Sequence, residues 1–125
     1  MSEDLEVTAT LDGDVRVVQV SGECDADEAG ALARTLAAPF DGTALGVVVD
    51  LSRVTFADSS FLHTLIEAHR RHLAAGLPLV LAQPHSAVQR LLDLTDTARH
   101  FTVAPTTTAA LDEVRGARSD GHHVR

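Results

Sequence analysis

The chain reads as a single α/β layer domain, a mixed β-sheet of about five strands with about four helices. Three observations predict it. An alternating N-terminal segment breaks at a turn and resumes, as a β-hairpin does. Two short apolar runs, Leu45 to Asp50 and Leu77 to Ala82, are read as buried strands, the first without alternation, as in a strand covered on both faces. Amphipathic helical patterns separate and follow these runs, and strands alternating with helices build a layered sheet.

Leu5 to Leu11 alternates at period two, Asp12-Gly13-Asp14 supplies the turn, and Val15 to Val20 is the returning strand, which Ser21-Gly22-Glu23 ends. A helix is expected from Asp25 or Ala26 to about Ala38, with Leu32 and Leu36 one turn apart and Pro39 and Asp41-Gly42 as its stop. After the Leu45 to Asp50 strand, the clearest helix runs from about Ser59 to Ala75. Its apolar stripe is Leu62, Leu65, Ile66, His69 and Leu73, and Gly76 terminates it. Leu77 to Ala82 places Pro78 near a strand start, where a missing N–H is tolerated. Ser86 is positioned to cap a helix carrying Val88, Leu91, Leu92 and Leu94, and His100 to Val103 reads as an edge strand. Thr106, Thr107 or Thr108 caps a last helix from Ala109 to about Gly116. The domain is therefore expected over residues 1–116, with 117–125 a flexible polar tail.

With 125 residues the chain can bury a core without staples, and with 3% aromatics and neither Trp nor Tyr that core must be mostly Val, Leu and Ala. The formal net charge is −8, and all ten cations are Arg, scattered along the chain. Binding to a phosphate backbone needs clustered cations, so a nucleic-acid partner is not expected. A lone Cys24 cannot form an internal disulfide, no apolar run approaches the ~20 residues of a membrane span, and the N-terminus is acidic. These features predict a cytoplasmic protein without membrane contact.

The chemistry concentrates at Asp58-Ser59-Ser60, an acid and two hydroxyls at the start of the best helix. A helix N-terminus offers free N–H groups and the positive end of a dipole, so a phosphate added to Ser59 or Ser60 would be tolerated there. Several segments carry a resemblance. Ser21-Gly22-Glu23-Cys24-Asp25, Val48-Val49-Asp50-Leu51-Ser52, Phe56-Ala57-Asp58-Ser59-Ser60 and Pro84 to Thr95 together resemble the STAS domain, the family of bacterial anti-sigma factor antagonists. The resemblance implies a module that, unphosphorylated, captures an anti-sigma factor that is also a serine kinase, and so frees a sigma factor. It implies Ser59 as phosphoacceptor, Asp25 and Asp58 beside the partner surface with Gly22 and Ser60, and a PP2C-type phosphatase as a further partner. A phosphoserine adds roughly −1.5 to −2 charge, which a surface built for a neutral hydroxyl would reject.

The sequence departs from the family pattern in three places. Phe61 stands where Gly usually follows D-S-[ST]; a quarter turn off the stripe, its ring is expected partly exposed beside Ser59, where it either blocks the close approach of a kinase or partner backbone or provides an apolar anchor for a differently shaped partner. Asp96 stands where the family commonly has Gly, and Cys24 where an aliphatic residue is usual. An alternative reading is a STAS protein that is not phosphorylated and serves as a constitutive binding or scaffold module, or a ligand sensor. A response-regulator receiver with Asp50 as phosphoacceptor would need an acidic pair after the first strand and a late Lys, and the chain has neither. No catalytic elbow, phosphate loop or zinc-binding spacing accompanies the seven His, so no enzyme, metal or cofactor is expected.

Overall fold

The computed structural model describes residues 5–25, 28–37 and 44–123. The elements follow in the order β1 (Glu6–Asp12), β2 (Val15–Cys24), α1 (Ala29–Leu36), β3 (Val47–Ala57), α2 (Ser59–Ala74), β4 (Leu79–Ala82), α3 (Ser86–Leu94), a 3₁₀ turn (Ala98–His100), β5 (Thr102–Ala104) and α4 (Thr107–His123). One five-stranded sheet has the order β1-β2-β3-β4-β5. β1 and β2 form the antiparallel hairpin, and the remaining pairs are parallel. Gly13 takes φ +60° at the hairpin turn, where a side chain would be strained.

β3 alternates its side chains between two apolar layers, which explains why its sequence lacks polar alternation. Val47 and Val49 join the core beneath α1, α2 and α3, together with Val18, Val20, Leu79 and Leu81. Val48 faces the other way, with Val15, Val17 and Val80, under Ala110, Leu111 and Val114 of α4. Arg115 ties α4 to the hairpin turn through the Asp12 carbonyl at 3.1 Å and Asp14 Oδ1 at 3.2 Å.

Several expectations are corrected by local physics. β2 does not end at Ser21 but runs to Cys24, and β3 runs past Asp50 to Ala57, because two irregularities in their pairing let both strands continue. α1 begins at Ala29, after a turn in which Asp25 Oδ1 accepts from the Glu28 N–H at 3.1 Å; Ala26, Asp27, Ala38, Pro39, Asp41 and Gly42 lie outside the described residues. α3 is capped by His85, whose Nδ1 accepts from the Ala87 N–H at 3.1 Å, and Ser86 is its first residue. Of the three candidate threonines, Thr106 makes the cap, accepting from the Ala109 N–H at 3.0 Å, and Thr107 and Thr108 lie in the first turn of α4. α4 continues beyond Gly116 to His123. The buried side of α2 is Phe61, Leu62, Leu65, Ala68 and His72, while Leu73, and Leu94 on α3, face solvent.

Candidate functional site

Parallel strands end on the same side of a sheet, and the pairing of β2 with β3 closes with Cys24 opposite Ala57. The next residue on each strand is an aspartate. Asp25 and Asp58 therefore stand together at one edge, and both raise the pKa of the Cys24 thiol between them. Burial is the larger cause; the two carboxylates and Glu28 add to it, and the thiol is pushed up to about 12. A fully buried thiol with that pKa is inert as a nucleophile and acts as a small apolar core residue.

Asp58 is extended at φ −121° and is the N-cap of α2. Its Oδ1 accepts from the Ser60 N–H at 2.9 Å and from the Phe61 N–H at 3.3 Å, and its carbonyl accepts from the Leu62 N–H at 3.2 Å. This corrects the expectation of N–H groups open to an anion, since the side chain of Asp58 already occupies those of Ser60 and Phe61. Ser59, the first residue of the helix, is exposed, and Ser60 is half-buried, its carbonyl accepting from Thr64 Oγ1 at 2.9 Å. Ser59 is thus open to solvent immediately after Asp58 in the chain.

Phe61 is placed otherwise than the sequence reading expects. Its ring is fully buried in the core beneath the helices, because position three of α2 turns toward the sheet. It cannot serve as an exposed anchor. The aromatic that does reach solvent at this edge is Phe56, 47% exposed and paired in register with Glu23. Sequence reasoning missed it because alternation along β3 is broken nearby, and nothing in the local pattern announces which way it faces. Gly22, also at this end of β2, is buried with φ +99°.

The paired histidines of α2 do not converge. His72 Nδ1 donates to the Ala68 carbonyl at 2.8 Å, whereas His69 packs against the Phe101 ring at 5.3 Å between centroids. Among the described residues no group of three or more His, Cys, Asp or Glu is arranged to hold a metal ion, and no helix is long and apolar enough to cross a membrane.

A model of the STAS domain family matches residues 6–110. No curated protein sequence matches the chain. Among solved structures, an anti-sigma factor antagonist from Mycobacterium paratuberculosis is 28% identical with a TM-score of 0.79, over 92% of this chain and 99% of that one. RsbS of Moorella thermoacetica, carrying a serine-to-glutamate substitution, is 25% identical with a TM-score of 0.72, over 88% and 95%. The Bacillus protein SpoIIAA in its unphosphorylated form shares the fold at 20% identity and a TM-score of 0.72, over 90% and 96%. With five strands in this order, helices on both faces and a family match over most of its length, the chain belongs to the STAS domain family.

Proposed function

We propose that this domain is an anti-sigma factor antagonist whose unphosphorylated form captures an anti-sigma factor of the serine-kinase type and thereby releases a sigma factor. The observation that carries this reading is the strand-end pairing of Cys24 with Ala57, which sets Asp25 and Asp58 side by side with exposed Ser59. The capture surface is the edge formed by Asp25, Asp58 and Ser60, with Phe56 as the apolar contact in place of buried Phe61; Gly22, buried with φ +99°, shapes the end of β2 rather than touching the partner. Ser59 is the switch. Its phosphate would meet an N-cap whose Ser60 and Phe61 donors are already taken by Asp58, so the added charge points at the partner rather than into the fold. A partner surface shaped for a hydroxyl must then desolvate a dianion beside a carboxylate, which ends binding without any rearrangement. The anti-sigma factor itself supplies the kinase, and a PP2C-type phosphatase resets the switch in the cytoplasm, where sigma factors operate.

The rival reading of a constitutive, unphosphorylated binder takes its motive from an exposed Phe61 blocking the kinase. Burial of that ring removes the obstacle. The test is a binding titration against the anti-sigma factor with Ser59→Asp and Ser59→Ala. Ser59→Asp is expected to lose capture and Ser59→Ala to hold it permanently, resistant to ATP. Equal binding by both variants overturns the switch.

A further inference from the structure

Strands that pair in strict step turn matching positions to the same face, so a parallel pair should consume residues at equal rates. β2 keeps its period throughout, with Val18, Val20, Gly22 and Cys24 all buried. β3 does not. It sends Val49, Leu51, Val54 and Ala57 to the helix-covered core, so its parity changes twice. Val18 pairs with Val49 and Cys24 with Ala57, which means that β3 takes eight steps where β2 takes six. Two β-bulges account for the difference: Leu51 and Ser52 lie where β2 offers only Val20, and Thr55 is the additional residue between Gly22 and Glu23.

The first bulge is held by a side chain. Ser52 N–H donates to Asp50 Oδ1 at 3.0 Å, and Gln19 Nε2 donates to Asp50 Oδ2 at 3.3 Å. The Leu51 carbonyl accepts from the His85 N–H at 3.1 Å. Asp50 is only 8% exposed, a cost the fold bears at a residue that touches neither Ser59 nor Asp58 in any hydrogen bond. A one-residue slip without this bulge would bring Phe56 opposite Cys24, turn Val54 outward and carry Asp58 about 3.3 Å further along the strand direction.

We propose that Asp50 is a positioning residue, clamping the first bulge of β3 so that Asp58 and Ser59 arrive beside Asp25 at the edge of the sheet. The role rests on the partner-switch reading for its purpose, but its structural content stands apart from any partner. Asp50→Ala removes the acceptor for Ser52, whereas Asp50→Asn keeps it and provides the conservative rescue.

Amide hydrogen exchange of the full chain by NMR decides the matter without a partner or a kinase. Asp50→Ala is expected to lose about tenfold or more of the protection of Val54, Ala57, Ser60 and Phe61 relative to Val48 and Val80, the scale of one charge-assisted hydrogen bond. Asp50→Asn should restore it to near the wild-type value. A uniform loss over all strands, no loss at all, or failure of Asn to rescue overturns the proposal. Should the Ala variant not fold, the wild-type chain suffices: a protected Ser52 amide with contacts between Cys24 and Ala57 is expected, and a freely exchanging Ser52 amide refutes the clamp. Failure of the partner reading would appear in the Ser59 titration and leave these readouts unchanged.

Discussion

At the scale of single residues, the site depends on one carboxylate with two tasks. Asp58 borders the proposed capture surface and also satisfies two N–H groups at the start of α2. Removing an N-cap of this kind costs about 1 kcal/mol, within a range of roughly 0.5–2. Asp58→Ala is therefore expected to lower stability by that amount in urea denaturation, while Asp58→Asn, which keeps the acceptor, loses much less. The departures from the family pattern also resolve here. Phe61 fills core volume beneath α2. Asp96 adopts φ +58° just past the end of α3, in the left-handed region that favours glycine and that Asp tolerates better than most residues. The Gly common at that position in the family thus marks a backbone requirement, and the identity of the residue here hides it.

At the scale of elements, α2 was the most legible and also the most instructive. Its start near Ser59 and its Gly76 stop are written in residue chemistry, and Gly76 takes φ +75° as a helix terminator does, whereas the cap falls to Asp58, one residue ahead of the two serines. Its buried face is rotated from the expected stripe. In place of Ile66, His69 and Leu73 it buries Phe61, Ala68 and His72, the last 2% exposed. β3 was legible only to Asp50, since two bulges destroy the periodicity that sequence reading depends on. His72 is buried and His69 half-buried, and their titration bears on stability. Burial lowers the pKa of both His69 and His72 below 6.5; for His72 the nearby Arg16 and Arg71 lower it further, against the hydrogen bond to Ala68. Above pH 6.5 both folded and unfolded histidines are neutral and nothing is at stake. As the pH falls through 6.5 the unfolded chain takes up protons that the native chain refuses, so stability falls until the folded pKa values are reached. The slope is at most about 1.4 kcal/mol per pH unit for each histidine. Denaturation at pH 7.5 and 5.5 should show the loss, and His72→Gln should reduce it; a stability independent of pH over this interval would contradict the argument.

At the scale of the whole molecule, the layered α/β architecture was readable because it follows from which segments are amphipathic and which are apolar on both faces. What could not be read is how the two strand ends align, since that depends on pairing register rather than on any local pattern. The finished sheet separates its duties along β3. Its C-terminal end carries the Asp58-Ser59 edge, while just before its N-terminal end Gly46 packs against Pro78 and against Val114 of α4. There a Cβ would lie 2.6 Å from the Pro78 carbonyl oxygen, 2.8 Å from Val114 Cγ1 and 2.9 Å from Pro78 Cγ. Backbone cannot yield as a flexible side chain does, and the Pro78 carbonyl accepts from the Val47 N–H at 3.0 Å to open the β3–β4 ladder. Gly46→Ala must therefore push β4 away from β3 or lift α4 from the sheet, an overpacking cost of about 1–3 kcal/mol. The strand is eleven residues long and its two bulges lie between, so little of that strain is expected at its far end. Gly46→Ala should accordingly lower Tm while leaving the affinity for the proposed anti-sigma factor partner unchanged at a temperature where the variant remains folded. A parallel loss of affinity in that variant would show that the two ends of β3 are coupled through the sheet.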